Sequence, residues 1–183
     1  MTELLETKAF GSKSYVRREL LTSVCALTAA SLWPISSRAM DSQKGWASCA
    51  RCRTIFFDGV RDNKGRCASG GAHTSGSTRV QLSFNIAEGP RTQGSWRFCN
   101  KCNALFFDGD PHKGVCPGGG GHRAQGLNFV LGHNIAGGGA RFRFCAKCHA
   151  MFEVGQGRCP AGENHAAAGF LFVLDPEGSV PID

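Results

Sequence analysis

Apolar residues follow a pattern that occurs three times along the chain. A short apolar run comes first in each copy, as Ile55-Phe56-Phe57, Leu105-Phe106-Phe107 and Met151-Phe152. Further on, apolar residues alternate with other residues in the pairs Val80 and Leu82, Phe129 and Leu131, and Phe172 and Leu174. Alternation of this kind is typical of a half-buried β-strand, and a short apolar run beside turn residues favours a buried one. The pattern predicts short strands, about four in each copy.

Glycine-rich segments separate the apolar runs. Asp58-Gly59 and Asp108-Gly109 directly follow an aromatic run, which is typical of a tight turn. The chain contains 25 glycines, and residues 40–183 show no convincing helical period. Because glycine destabilises the interior of a helix, we predict an all-β fold of short strands and long loops.

Each copy also contains three cysteines and one histidine at a recurring spacing. A Cys-x2-Cys pair comes first, and a Cys-x5-His pair follows it after a segment of variable length. The candidate ligands are Cys49, Cys52, Cys67 and His73, then Cys99, Cys102, Cys116 and His122, then Cys145, Cys148, Cys159 and His165. A Cys-x2-Cys turn directs two thiolates at one point, and a second pair completes the tetrahedron of a structural zinc site. The spacing predicts three zinc ions per chain.

Two other uses of the cysteines match the pattern less well. The chain has ten cysteines, nine of which lie in the three copies, while Cys25 lies outside them. A disulfide framework would leave an odd thiol among the nine and would give the recurring histidine no role. Iron–sulfur sites use four cysteines or a pair of histidines. Zinc is therefore favoured, and a disulfide framework stays open as the alternative.

The Cys-x2-Cys turns resemble those of zinc ribbons and rubredoxin-like modules, with Cys99-Asn100-Lys101-Cys102 and Cys145-Ala146-Lys147-Cys148 as the matching residues. The complete unit is similar to a repeat carried by exported bacterial proteins, a resemblance that implies no activity. Cys49 to Cys99 is 50 positions and Cys99 to Cys145 is 46, so the period is about 48 residues. Three such units, at about 46–91, 96–140 and 142–178, form either a pseudo-threefold fold like a β-trefoil or a row of zinc ribbons.

Residues 1–39 differ from the repeats and are organised like a signal peptide. The pair Arg17-Arg18 precedes an uncharged stretch from Leu20 to Ser37, and Ser37-Arg38-Ala39 offers small residues for cleavage before Met40. The arginine pair followed by two leucines resembles the twin-arginine export signal of bacteria. That route carries folded proteins and so allows zinc to be loaded in the cytoplasm before export. A membrane anchor and an N-terminal helix of the fold are the alternatives.

Export would place the three-repeat domain, residues 40–183, in the periplasm or outside the cell, without a membrane span once the signal is removed. The net charge is +7, and residues 1–39 hold five basic and three acidic side chains, which leaves +5 for the domain. This modest excess favours an anionic surface polymer over nucleic acid as the electrostatic partner. One basic residue recurs inside each Cys-x2-Cys turn, as Arg51, Lys101 and Lys147.

The motifs argue against an enzyme. The sequence contains no His-Glu-x-x-His, no Gly-x-Ser-x-Gly and no phosphate-binding loop. Each unit offers four metal ligands, whereas catalytic zinc keeps three and an open position. We therefore expect a non-enzymatic protein that binds an extracytoplasmic glycan or protein. Metal storage or delivery, of zinc or copper, is the first alternative, and nucleic-acid binding is the second.

The remaining positions divide into recurring and non-recurring ones. A large aromatic residue stands three positions before the first cysteine of each unit, as Trp46, Trp96 and Phe142, and is expected in the core. Three histidines recur at no common place and are expected at the surface or in loops: His112, His133 and His149. The connectors between second and third cysteines, 60–64, 110–113 and 154–156, vary in length and are expected to carry binding.

Overall fold

The computed structural model describes residues 41–136 and 141–179. These residues contain ten β-strands and no helix, so no helix among them is suited to cross a membrane. The strands are β1 (Asp41–Cys49), β2 (Ile55–Phe57), β3 (Ser75–Phe84), β4 (Thr92–Cys99), β5 (Leu105–Phe107), β6 (Ala124–His133), β7 (Phe142–Cys145), β8 (Met151–Glu153), β9 (Ala167–Val173) and β10 (Asp175–Pro176). The all-β prediction is confirmed. The predicted signal peptide, residues 1–39, lies outside the described residues.

Each copy of the sequence pattern folds as three antiparallel strands. β1 pairs with β2 and β3, β4 pairs with β5 and β6, and β7 pairs with β8 and β9. The first strand ends at the first cysteine, and the second is the short apolar run. The third carries the alternating pair, except that Leu174 lies one residue beyond β9. The prediction of about four strands per unit was too high, because the ligand-bearing loops before the third strand form turns and single bridges instead of a further strand.

The strand registers place equivalent residues of the three units at equivalent positions. The first-strand aromatic residue of each unit lies opposite the end of the second strand, in the pairs Trp46–Phe57, Trp96–Phe107 and Phe142–Glu153. On its other side it lies opposite the third strand, in the pairs Trp46–Val80, Trp96–Phe129 and Phe142–Phe172. The units therefore have the same internal architecture, and differences between them can be compared position by position.

One apolar cluster joins the three units. Its buried members are the first-strand aromatics, the start of each short apolar run and the alternating pairs: Trp46, Ile55, Val80, Leu82, Trp96, Leu105, Phe129, Leu131, Phe142, Met151, Phe172 and Leu174. Trp46 and Trp96 each meet a ring of the next unit edge-on, with centroids 5.2 Å apart for Trp46 and Phe129 and 5.1 Å for Trp96 and Phe172. The recurring aromatics are core residues, as predicted.

The units contact one another in a closed ring. β3 pairs with β6, β6 pairs with β9, and β10, which follows β9, pairs back onto β3. Single bridges between the short strands follow the same cycle, joining Phe56 to Ala104, Phe106 to Ala150, and Phe152 to Thr54. The third unit thus returns to the first. Of the two predicted arrangements, the pseudo-threefold one is observed, and the row of separate zinc ribbons is not.

Candidate metal centres

The structure brings the predicted ligands together in three groups of four. The groups are Cys49, Cys52, Cys67 and His73; Cys99, Cys102, Cys116 and His122; and Cys145, Cys148, Cys159 and His165. Within each group the four donor atoms all lie within 4.8 Å of one another. All nine cysteines are buried, and of the three histidines only His165 is partly exposed. Each group is therefore a closed set of donors around one point.

The donor separations match a tetrahedral zinc site. The first and third sulfur atoms of each group are 3.9 Å apart, and the second sulfur lies 3.5, 3.4 and 3.5 Å from Nδ1 of the histidine. A regular tetrahedron with Zn–S bonds of about 2.3 Å has S···S edges of about 3.8 Å and S···N edges of about 3.6 Å. The nine cysteines are free thiols. The three groups fit three zinc ions per chain, and the disulfide alternative does not hold.

The Cys-x2-Cys turns are fixed by their backbone. In each turn the N–H of the residue after the second cysteine donates to the carbonyl of the first, as Arg53 to Cys49, Asn103 to Cys99 and His149 to Cys145, at 2.8–2.9 Å. These three residues have φ of 64°, 61° and 60°. The left-handed conformation costs energy for a residue with a side chain and is adopted where a tight turn requires it. Here it reverses the chain so that both thiolates point to one side.

Each histidine of the three groups uses both of its ring nitrogens. Nδ1 faces the sulfur atoms, while Nε2 lies close to a backbone carbonyl of the next unit: His73 to Cys102 at 3.1 Å, His122 to Cys148 at 3.0 Å and His165 to Cys52 at 3.0 Å. Because a carbonyl can only accept, Nε2 carries the proton and Nδ1 keeps its lone pair for a metal. Such outer hydrogen bonds fix the orientation of a zinc-bound histidine and raise its basicity.

These hydrogen bonds connect the three sites in a cycle. The accepting carbonyl always belongs to the second cysteine of the next group, so the first site is tied to the second, the second to the third, and the third to the first. Backbone bonds run in the same direction, from Phe57 to Asn103, from Phe107 to His149 and from Glu153 to Arg53, each 2.9 Å long. A disturbance of one site therefore reaches the ligand-bearing turn of the next.

One recurring glycine makes this close approach possible. A Cβ atom built on Gly65 would lie 2.3 Å from the carbonyl oxygen of Cys102, and one on Gly114 would lie 2.2 Å from that of Cys148. The corresponding atom on Gly157 would lie 2.6 Å from the Cys52 oxygen. Real side chains do not tolerate such distances to backbone atoms. The recurrence of this glycine before the third cysteine thus reflects contact between units.

The buried donors strongly perturb one another electrostatically. Hydrogen bonds with the Cys52 and Cys67 side chains lower the pKa of Cys49 far below its ordinary value. Burial lowers the pKa of His73, but hydrogen bonds with Cys49 and Cys67 outweigh it and raise that pKa to about 9. The second and third groups show the same directions for their first cysteine and their histidine. Concentrated thiolate charge in a buried place is neutralised well by a divalent cation.

The basic residue inside each Cys-x2-Cys turn contacts the glycine-rich loop that leads to the histidine. Arg51 donates to the carbonyls of Gly70 and Ala72, the latter at 2.7 Å. Lys101 donates to Gly119 and to Gly121, and Lys147 donates to Gly162 at 2.6 Å. These cations satisfy loop carbonyls near the third cysteine. Their recurrence therefore has a structural reason that the sequence pattern did not reveal.

The connectors lie partly at the contacts between units. The residue after the second cysteine of one unit meets the connector side of the unit before it: Asn103 donates to the carbonyl of Asn63 at 2.8 Å, and Arg53 lies 3.5 Å from that of Val154. In the second connector, the Lys113 ammonium is 2.9 Å from the Asp108 carboxylate, and the backbone carbonyl of Lys113 accepts the His122 N–H. These positions belong to the scaffold, contrary to the expectation that the whole connector serves binding.

Two of the three non-recurring histidines are buried. The expectation of a surface or loop position was wrong for His133, which ends β6, whereas His149 is buried but lies in a loop. His133 is 6% exposed and stacks on Phe170, with ring centroids 3.8 Å apart. His149 is 7% exposed and lies beside Phe144 and His112, at 5.1 and 5.5 Å. None of the three belongs to a metal-binding group of the described residues. Periodicity could not predict this burial, because Phe170 and His112 belong to a different unit from the histidines they contact.

The contact between the third unit and the first differs in chemistry from the other two. Phe57 packs on Phe98 and Phe107 packs on Phe144, with centroids 6.1 Å apart in both pairs. At the contact between the third unit and the first, Glu153 takes the place of Phe57 and Phe107, and Ser48 takes the place of Phe98 and Phe144. Glu153 is 1% exposed and accepts from Thr78 at 3.0 Å, with Arg53 and Arg141 nitrogens 2.9 and 3.3 Å from its carboxylate. At this contact the ring is closed by a buried carboxylate that pairs with two arginines, of which Arg141 is largely exposed.

Comparisons with known protein families, with curated proteins and with solved structures found no match for this chain. The functional argument therefore depends on the geometry described above.

Proposed function

We propose that this protein is an exported, non-enzymatic binding protein whose three zinc ions are structural. The observation that carries the proposal is the closure of each metal group. Four protein donors converge at tetrahedral separations, and the remaining histidine nitrogen is hydrogen-bonded to the next unit. Structural zinc sites are closed in this way, whereas catalytic sites keep an open position for water or substrate. The metal then holds together a scaffold whose exposed surface binds.

The same closure argues against a metal carrier. A storage or delivery protein has to release its ion, which requires donors that reach solvent or separate easily. Here the cysteines are buried, and the histidine of each site also forms part of a contact between units. Release of one ion would therefore loosen the packing of the next unit. Zinc that contributes to folding in this way exchanges slowly.

The local contacts of the basic residues also bear on nucleic-acid binding. Arg51, Lys101 and Lys147 are the cations that recur at one place, and all three donate to carbonyls of their own unit. Phosphate binding would have to compete with those bonds. Together with the export-like sequence of residues 1–39, this favours an extracytoplasmic glycan or protein as the partner.

Export is tested by expression in a bacterium that has the twin-arginine pathway. Replacing Arg17 and Arg18 with lysine keeps the charge but removes the guanidinium pair, and we expect the protein to remain in the cytoplasm at its full mass. Lys8→Arg, a similar exchange outside the pair, should export normally and yield a chain that begins near Met40. Equal amounts of both variants in the cytoplasm would contradict export.

Structural zinc is tested on the exported, processed protein. Incubation with a mild chelator at room temperature should leave the zinc content and the circular dichroism unchanged for hours, because release requires unfolding of the ring. Fast and complete loss of zinc from protein that stays folded would identify a carrier instead.

Binding is tested separately, by sedimentation of the processed protein with purified cell-envelope polysaccharide.

A further inference from the structure

A pocket opens at the contact between the second and third units. Its walls are aromatic, formed by Phe107 from the second unit and by Phe144 and Phe170 from the third. Gln93 and Asp110 supply polar groups, and the cavity has a volume of about 250 Å³. Phe170 is 40% exposed although it is a large apolar residue. Concave, mainly apolar sites with a few polar groups are typical of small-ligand binding.

Comparison of the units shows that the scaffold does not require this exposed ring. The strand registers make Phe170 equivalent to Leu127 in the second unit and to Thr78 in the first. Leu127 packs against the core, and Thr78 donates to Glu153. The ring of Phe170 instead stacks on His133, which is buried and holds it beside the pocket. The aromatic side chain thus stands in a braced position at only one of three equivalent places.

The polar groups of the pocket favour a neutral ligand with hydroxyl groups. Gln93 accepts from the Trp96 indole at 3.2 Å through Oε1, so its amide nitrogen keeps donor capacity. One oxygen of Asp110 accepts the His112 N–H at 2.9 Å, and the carboxylate retains further acceptor capacity. The carboxylate disfavours anions. The Arg143 guanidinium does not line the pocket, but it donates to the carbonyl of the pocket residue Gly169 at 3.3 Å, and its nearby positive charge disfavours cations.

A pyranose ring combines the properties that this pocket selects. Its axial C–H bonds form an apolar face that packs on the negative face of an aromatic ring. Its hydroxyl groups both donate and accept, which suits a carboxylate beside an amide. The pocket volume is below the roughly 300–1,000 Å³ typical of sites for larger ligands, and so it suits one sugar ring. A purely apolar ligand would leave the remaining hydrogen-bonding capacity of Asp110 and Gln93 unused.

We propose that the pocket between Phe107, Phe144 and Phe170 is a binding site for one pyranose unit of a glycan, with Asp110 and Gln93 contacting its hydroxyl groups. This inference deepens the proposed function, because it names the place and the ligand class of the binding surface. Only the second connector supplies a pocket residue, Asp110, while its other end braces the scaffold.

The test uses the processed, zinc-loaded protein and four methyl pyranosides, those of glucose, galactose, mannose and N-acetylglucosamine. Backbone NMR signals of Gly169, Phe170 and Asp110 should shift with at least one of them at millimolar concentration. Sorbitol has similar hydroxyl groups but no ring face, and it should produce no shift. Absence of pocket shifts with all four glycosides would overturn the proposal.

A matched pair of variants separates the pocket from the rest of the surface. Phe170→Ala should weaken binding of the active glycoside at least tenfold, whereas Leu171→Ala should bind like the wild type. Leu171 is 44% exposed on the same strand but does not line the pocket. Zinc content should be three in both variants, which excludes misfolding as the cause. Equal binding by the two variants would contradict the assignment.

Envelope polysaccharide distinguishes this inference from the proposed function. If the wild type and Phe170→Ala sediment with it equally, the protein is a glycan-binding scaffold whose site lies elsewhere, and the pocket assignment is wrong. If the wild type binds glycosides in the pocket but no envelope material, the pocket assignment stands and the proposed cellular role fails.

Discussion

The cyclic contact between units predicts a sharp difference between two glycine-to-alanine substitutions in one loop region. Gly114 and Gly120 both lie in the second unit, with nearly equal φ of +60° and +59°. A Cβ atom on Gly114 would lie 2.2 Å from the Cys148 carbonyl oxygen of the third unit, whereas one on Gly120 would meet nothing within 4 Å. Neither residue is a ligand. The pair therefore isolates the contact between units from the cost of the backbone conformation.

The expected magnitudes follow from this geometry. The left-handed conformation costs a non-glycine residue about 1–2 kcal/mol, and this cost applies to both variants. Overpacking against a fixed backbone adds about 1–3 kcal/mol in Gly114→Ala alone. At roughly 2–4 °C per kcal/mol, the melting temperature of Gly114→Ala should be about 2–12 °C below that of Gly120→Ala.

The assay is thermal unfolding of processed protein at one fixed concentration of free zinc, because bound metal stabilises the folded chain. Zinc content is measured before heating to confirm that both variants are fully loaded at the start. Gly65→Ala provides a second case, since its Cβ atom would lie 2.3 Å from the Cys102 carbonyl oxygen. Equal melting temperatures for the alanine variants at 114 and 120 would refute the contact between units as a source of stability.

Two further substitutions test the metal cycle and the ionic contact. His122→Cys keeps a fourth zinc donor in the second site but loses the hydrogen bond from Nε2 to the Cys148 carbonyl in the third. The third site should therefore open at a chelator concentration about 10–100-fold lower than in wild type, measured by thiol alkylation with peptide mapping. Opening confined to the second site would count against the cycle. Glu153→Gln should cost about 1–3 kcal/mol in chemical denaturation, because hydrogen bonds from charged groups are weakened. The combination Ser48→Phe, Thr78→Leu and Glu153→Phe copies the apolar contact between the first and second units, which is formed by Phe98, Leu127 and Phe57. It should recover that loss or exceed wild type by about 1–4 kcal/mol. A combined variant less stable than Glu153→Gln would show that the network is essential.

The sequence predicted which cysteines and histidines come together, because coordination geometry restricts spacing within one unit. Cys-x2-Cys and Cys-x5-His are fixed by the short loops that carry them, and three copies made coincidence improbable. The core could be predicted equally well from the sequence, because the aromatic residue before each first cysteine and the alternating pairs recur in every repeat. Such features depend only on contacts inside a unit or on burial common to all units.

Contacts between units were harder to foresee. The second nitrogen of His122 reaches a carbonyl 26 positions further along the chain, and a backbone acceptor has no signature in the sequence. The recurring glycine at 65, 114 and 157 was a usable signal, because a glycine repeated in the same place often marks a close approach of backbones. The burial of His133 and His149 depends on rings that the fold brings beside them. Glu153 stands where the other two units have phenylalanine, and the reason for this difference becomes clear only once its partners are known.

The central claim is that three closed zinc sites hold this ring of units together. It is tested most directly by the metal and thiol content of protein purified without added metal or reductant. Elemental analysis and native mass spectrometry should find three zinc ions per processed chain, and alkylation after denaturation should modify all nine cysteines of the three sites. Two or fewer zinc ions in the folded protein, or cysteines recovered as disulfides, would contradict the account.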